Sequence, residues 1–245
     1  MATAKTTKKT VAKKTATTTK PRALIVYGGW DGHQPVETAK RFGDWMTERG
    51  FDVNLQPTLD AYLNPEFMKD LAVILPMWTM GTISGEQCKG LKDAVAAGAG
   101  LAGWHGGMCD AFRWDVDYQF MTGGQWVSHP GGAVDYKVVD ISETDPITKG
   151  LKEFKMPKTE QYYMHVDPSN DTLAYTVFDG KHGQPWIKGV KMPVAWKRVW
   201  GKGRVFYTSL GHVNKDFDIP EAFEIMKRGI QWAARMTIKP EFKSK

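Results

Sequence analysis

The sequence Arg22-Ala-Leu-Ile-Val-Tyr-Gly-Gly29 is a short apolar run that ends in two glycines. Such a run, bounded by a turn signal, is typical of a strand buried on both faces of a sheet. The next segment, Pro35–Arg49, has apolar residues at helical spacing and is followed by Gly50, which favours a helix end. Together the two segments predict a β-strand followed by a crossover helix.

The same alternation continues along the chain. Further strands are predicted at 51–55, at 72–75 with Pro76 as its end, and at 100–104. Helices are predicted at 64–71 and at 84–97, the second opened by the cap-like sequence Ser84-Gly-Glu-Gln87. Alternating strands and helices predict an α/β fold, in which a parallel sheet has helices on both faces.

The second half of the chain is less regular. Additional strands are predicted at 134–141, 173–178, 194–199 and 204–210, and a last helix is predicted at 220–235. We therefore expect one α/β domain over residues 22–237, with extra strands in its C-terminal half and a short C-terminal tail at 238–245.

The basic residues are concentrated at the N-terminus. Residues 1–22 hold six lysines and Arg22 but no acidic residue, whereas the whole chain has a formal charge of only +6. The rest of the chain is therefore close to neutral, and any contact with nucleic acid would be made by the tail. Residues 1–21, rich in Thr, Lys and Ala, lack the apolar residues needed for a core and are predicted to be disordered.

Cysteine content and hydropathy exclude several classes of protein. Cys88 and Cys109 are too few for a disulfide framework, and their spacing matches no zinc motif. The N-terminus has no apolar signal segment, and no run of about 18 apolar residues predicts a membrane span. We expect a cytoplasmic protein.

Three predicted strands are followed by residues that can carry chemistry. In doubly wound sheets, ligands bind beyond the carboxyl ends of the strands. His33, Trp78 and His105 follow the first, third and fourth predicted strands, so we expect them to lie close together.

Gly103-Trp-His-Gly-Gly107 has the pattern of a nucleophile elbow, a sharp turn from strand to helix that exposes its middle residue. Here that residue is His105, which suits proton transfer or metal ligation better than covalent attack. The alternative is a glycine-rich turn with a structural histidine.

Other residues complete the candidate site. His212 follows a predicted strand, and Glu160 is the leading carboxylate. We expect catalysis by His105, Glu160 and His212. A divalent metal such as zinc, held by His33, His105 and His212 from separate loops, stays open. Aromatic faces next to polar groups suit sugar rings. The expected substrate contacts are Trp30, Asp31, His33, Trp78, Tyr162 and His165.

Several segments resemble one family in the same order. They are Ala23-Leu-Ile-Val-Tyr-Gly-Gly29, Gly103-Trp-His-Gly-Gly107, Gly123-Gly-Gln-Trp-Val-Ser-His-Pro130, Asp145-Pro-Ile-Thr-Lys-Gly-Leu151, Glu160-Gln-Tyr162 and Gly203-Arg-Val-Phe-Tyr-Thr-Ser-Leu-Gly-His212. From Ala23 to about Ala234, the chain resembles the ThuA-like proteins, which are named for trehalose utilisation.

The resemblance implies a flavodoxin-like fold related to class I glutamine amidotransferases. Those enzymes carry Cys at the elbow, where this chain has His105, so Cys-dependent glutamine hydrolysis is not expected. The resemblance implies an enzyme of carbohydrate metabolism, a hydrolase, lyase or isomerase acting on trehalose, a related disaccharide or its keto derivative. The alternative is a non-catalytic sugar-binding or regulatory domain on the same fold.

Overall fold

The computed structural model describes residues 19–244, so residues 1–18 of the predicted basic tail lie outside the described residues. A seven-stranded sheet forms the centre of the fold, in the order β2-β1-β3-β4-β11-β10-β9. Its strands are β1 (Arg22–Gly29), β2 (Asp52–Gln56), β3 (Leu71–Thr79), β4 (Gly100–Trp104), β9 (Asp171–Val177), β10 (Lys191–Trp200) and β11 (Gly203–Thr208).

Five of these strands run parallel, and β10 and β9 extend the sheet in antiparallel pairing. The parallel part is ordered 2-1-3-4 and is then completed by β11, which takes the fifth position of a flavodoxin-like sheet. The α/β fold with extra C-terminal strands, predicted from the sequence, is confirmed.

Helices cover both faces of the sheet. They are α1 (Pro35–Glu48), α2 (Pro65–Met68), α3 (Gly85–Ala97), α4 (His105–Cys109), α5 (Val116–Thr122) and α6 (Pro220–Ala233). Successive residues of β1 point to opposite faces: Ile25 packs in one core with Phe42 of α1 and Ile225 of α6, and Leu24 packs in the other with Leu91 of α3. None of the helices in residues 19–244 is both long and apolar enough to span a bilayer.

Two small antiparallel sheets lie between β4 and β9 in the chain. One pairs β5 (Gly124–Ser128) with β8 (Tyr163–Val166), and the other pairs β6 (Ala133–Val138) with β7 (Phe154–Glu160). Helix α5 and strands β5, β7 and β8 were not expected from the sequence. Strand β7 contains Pro157 and alternates only partly between buried and exposed residues, so its pattern is weak.

Strand β3 is longer than predicted, because it continues through Pro76 to Thr79. Proline lacks a backbone N–H, so within a sheet it usually lies where no neighbouring strand needs a hydrogen bond from that residue. Here β3 pairs with β4 only at Val73 and Ile74, while its pairing with β1 continues to Thr79. Pro76 therefore lies where one side of the strand has no ladder partner.

The residues after α6 pack against the domain. The carboxylate of Glu241 accepts hydrogen bonds from Trp45 Nε1 at 3.0 Å and Lys227 Nζ at 2.7 Å, and it pairs with Arg49. The buried Arg228 donates to the carbonyl of Phe242. The C-terminal segment thus joins α1 and α6.

Candidate functional site

The carboxyl ends of the parallel strands bring together three histidines that are far apart in sequence. His33 lies in a single helical turn after β1, His105 directly follows β4, and His212 follows β11. The ring centroids of His33 and His105 are 4.8 Å apart, and those of His33 and His212 are 5.2 Å apart. His33 and His105 therefore lie close together, as predicted from the sequence.

The turn at His105 has the conformation of an elbow. His105 has φ of 44°, in the left-handed region that non-glycine residues rarely occupy. A Cβ on Gly106 would lie 2.5 Å from His33 Cε1, and one on Gly107 would lie 2.3 Å from Met77 Sδ. Glycines at these positions therefore let the elbow pack directly against β3 and against the ring of His33.

Four imidazoles surround a single carboxylate, which we call the Glu160 cluster (Glu160, His33, His105, His129 and His212). On one carboxylate oxygen, Oε2, the Nε2 atoms of His105 and His33 lie at 3.1 and 3.9 Å. On the other, Oε1, those of His212 and His129 lie at 3.5 and 3.6 Å. The sequence-predicted residues His33, His105, Glu160 and His212 all belong to this cluster.

Glu160 reaches the sheet edge at the end of β7. Its strand neighbour Thr159 donates a side-chain hydrogen bond to Asp216 Oδ2, and the same oxygen accepts from the backbone N–H of His212 at 3.0 Å. Asp216 thereby ties β7 to the loop after β11. This link fixes Glu160 and His212 relative to each other.

The hydrogen bonds of His105 define where its protons lie. Nδ1 donates to the carbonyl of Ser209 at 2.8 Å, because a carbonyl can only accept. An ionised carboxylate can only accept, so Glu160 Oε2 accepts a hydrogen bond from Nε2 at 3.1 Å. The ring of Tyr162 stacks on His105 at 3.8 Å, and Tyr207 Oη donates to the His105 carbonyl. The pair of His105 and Glu160 therefore holds a proton in a fixed position.

Burial and neighbouring charges separate the pKa values of the cluster. Burial raises the pKa of Glu160, but the hydrogen bond from His105 and the nearby imidazoles of His105, His212 and His129 outweigh it and lower the value to about 2. Burial, followed by His105 and His212, lowers the pKa of His33 to about 2 despite Glu160. At neutral pH, Glu160 is therefore ionised and His33 is neutral.

The cluster opens to solvent on one side. His33 and His105 are almost fully buried, whereas the side chains of His129 and His212 are 38% and 20% exposed. Trp30 is 47% exposed, and its ring meets that of His33 edge-on at 4.8 Å. A molecule that reaches Glu160 would therefore enter past His129 and His212.

Three of the predicted substrate contacts, Trp78, His165 and Asp31, are not members of the Glu160 cluster. Trp78 is half-buried, and its ring lies beside Gly28 and Gly81. His165 is exposed on β8 and makes none of the contacts to Glu160 that the four cluster histidines make. Asp31 is exposed in the turn before His33.

His129 and its surroundings were not among the residues predicted from the sequence to form the site. His129 follows β5, and its ring lies 5.7 Å from that of Trp126. Arg113 covers Trp126 at 4.4 Å and forms a bidentate pair with the buried Asp110. The signal that could have identified His129 is the segment 123–130, which carries part of the family resemblance.

Neither cysteine takes the place of an elbow nucleophile. Cys109 is buried at the end of α4, and burial raises its pKa well above the ordinary value. Cys88 is buried on α3, where burial followed by Asp115 raises its pKa to about 12. Both side chains are thiols at neutral pH, and thiols are poor nucleophiles.

A family model described as ThuA, trehalose utilisation, matches residues 22–233. The chain belongs to the ThuA family. The match spans β1 to α6 and includes every residue of the Glu160 cluster. A search of curated proteins found no match.

Solved structures share the ThuA fold at low sequence identity. A ThuA-like protein from Bacteroides uniformis is 18% identical with a TM-score of 0.69, over 89% of this chain and 94% of the other. One from Parabacteroides merdae is 16% identical with a TM-score of 0.71, over 92% and 93%. A cytoplasmic protein from Salmonella typhimurium LT2 is 13% identical with a TM-score of 0.55, over 87% and 97%. At these identities the likeness concerns the fold alone.

Proposed function

We propose that this ThuA-family chain is a cytoplasmic enzyme that acts on trehalose, a related disaccharide or a keto derivative of one. The observation that carries the proposal is the Glu160 cluster itself: four imidazoles and one ionised carboxylate at the ligand-binding edge of the sheet. Hydrolysis, elimination and isomerisation of sugars all require proton transfer to or from carbon-bound oxygen or carbon.

His105 and Glu160 are the residues best placed to move that proton. His105 is fixed by the Ser209 carbonyl and shares its second proton with Glu160, so it can deliver a proton and take it back. His33, with its pKa near 2, is a poor proton acceptor at neutral pH and serves to contact the substrate or a metal. His212 lies at the opening and would meet the substrate there.

The exposed face of Trp30 supports a sugar as the substrate. It lies beside His33, so a sugar ring stacked on it would place its hydroxyl groups near the cluster. The same features would serve a non-catalytic sugar-binding domain, which makes that function the second candidate. Turnover separates the two.

The test is a screen of the purified full-length chain against disaccharides, glycosides and 3-keto-glycosides, with products detected by NMR. His105→Asn is the informative variant, because Asn tolerates the positive φ of this position better than Ala does. We expect it to lower turnover by about 10²–10⁴-fold, as for loss of a general acid–base. His182→Asn, at φ of 59° on an exposed loop, is the matched control and should keep wild-type turnover.

Saturable sugar binding without product would favour the binding domain. Full turnover by His105→Asn, in protein that unfolds at the wild-type temperature, would refute the role of His105.

A further inference from the structure

We propose that His33, His212 and Glu160 form a binding site for one divalent metal ion of the zinc class. Each of these residues offers a ligand atom, and the three atoms lie within 4.8 Å of one another. His212 Nε2 lies 3.5 Å from Oε1 of Glu160, and His33 Nε2 lies 3.9 Å from Oε2. Ligands bound at about 2.0–2.2 Å around a tetrahedral ion are themselves roughly 3.3–3.6 Å apart, so small side-chain shifts would complete the site.

The contacts around Glu160 are otherwise hard to account for. Of His33, His105 and His212, only His105 forms a hydrogen bond with the Glu160 carboxylate. The Nε2 atoms of His33 and His212 lie farther from it. A cation held between His33, His212 and Glu160 would bind two imidazole nitrogens and one carboxylate oxygen.

The remaining hydrogen bonds suit metal ligation. His33 Nδ1 lies 2.8 Å from Thr79 Oγ1, and an Nδ1–H donated there leaves the Nε2 lone pair free for a metal. Histidine ligands commonly have their other ring nitrogen fixed in this way.

His105 is not part of this ligand set. Both of its ring nitrogens are used, Nδ1 by the Ser209 carbonyl and Nε2 by Glu160. It therefore orients the ligand carboxylate instead of binding the ion. The ligand set considered from the sequence was His33, His105 and His212; in the proposed site, Glu160 takes the place of His105.

The ligand types select the ion. Two imidazoles and one carboxylate suit Zn²⁺ and similar transition-metal ions, whereas Mg²⁺ and Ca²⁺ prefer oxygen ligands alone. Three protein ligands leave a fourth position for water or substrate, as in catalytic zinc sites. This inference rests on the geometry of the cluster and does not depend on the proposed substrate.

The experiment is a titration of untagged, full-length, chelator-treated protein with Zn²⁺ by calorimetry and with Co²⁺ by visible absorption. Absence of a histidine tag is essential, because a tag binds the same ions. We expect one ion per chain and Co²⁺ bands typical of a four- or five-coordinate site. His212→Asn and Glu160→Gln should weaken binding by about 100-fold or more, since each removes a ligand.

His182→Asn is the control for loss of a histidine outside the cluster, and it should bind both ions like the wild type. Circular dichroism and thermal unfolding establish that each variant is folded. The proposal is overturned if the wild type shows no stoichiometric binding, or if both ligand variants bind as tightly as the wild type. Neither result depends on sugar turnover, so the failure of this site and the failure of the proposed function can be distinguished.

Discussion

At the scale of single residues, the site depends on close packing around the elbow. His105 occupies a strained backbone conformation, a kind of strain that costs about 1–3 kcal/mol and is maintained by the surrounding structure. Gly106 is essential to this arrangement because its missing side chain leaves room for the ring of His33. The sequence pattern predicted the turn, but the reason for Gly106 appears only in the packed structure.

We expect Gly106→Ala to disturb the site more than the fold. The added methyl group would lie 2.5 Å from His33 and 3.0 Å from Tyr162, so one of these rings must move. Overpacking of this kind costs about 1–3 kcal/mol. Thermal unfolding should show that loss, and Zn²⁺ titration should show weaker binding because His33 is displaced.

Gly85→Ala is the matched control. Gly85 starts α3, and a Cβ there would meet nothing within 4 Å. Its unfolding temperature should equal or slightly exceed that of the wild type, because Ala restricts the unfolded chain more than Gly does, and its metal affinity should be unchanged. Equal behaviour of the two alanine variants would contradict the packing argument.

At the scale of elements, local signals decided which parts were predictable. The helices α1, α3 and α6 were predicted because they carry helical spacing and end signals, and the expected cap of α3 is present as a capping box between Ser84 and Gln87. The strands β5, β7 and β8 were missed because they are short and pair in small sheets whose partners are distant in sequence. Glu160 lies on β7, so its position could not be predicted from local pattern.

The C-terminal segment gives a pH-dependent prediction at this scale. Burial raises the pKa of Glu241, but hydrogen bonds from Lys227 and Trp45 and the charges of Lys227 and Arg49 outweigh it and lower the pKa. A carboxyl group whose pKa is lower in the folded state stabilises the fold above its unfolded pKa, and this contribution is lost as the pH falls through the folded pKa.

Because Glu241 is exposed and its charge is screened by solvent, Glu241→Gln should lower the free energy of unfolding by about 0.5–1 kcal/mol at pH 7 and by less near pH 3. Urea denaturation at both pH values measures the difference. Glu48→Gln, at an exposed position on α1, should change stability little at either pH. A difference for Glu241→Gln that grows towards low pH would contradict the assignment.

At the scale of the whole molecule, the site is assembled by topology. The rule that ligands bind at the carboxyl ends of parallel strands correctly placed His33 and His105 near each other from the sequence alone. It placed Trp78 at the same edge, and the ring of that residue lies beside Gly28 and Gly81. It missed His129, which enters from β5, outside the main sheet.

The active-site assignment is tested most directly by the turnover of Glu160→Gln on the sugar that the wild type converts. Glu160 is the one residue that all four imidazoles face, so the cluster should lose its function with this single charge. We predict that kcat falls by about 10²–10⁴-fold while the sugar still binds and the protein stays folded. A Glu160→Gln variant with kcat within about twofold of the wild type would contradict the claim that this cluster is the active site.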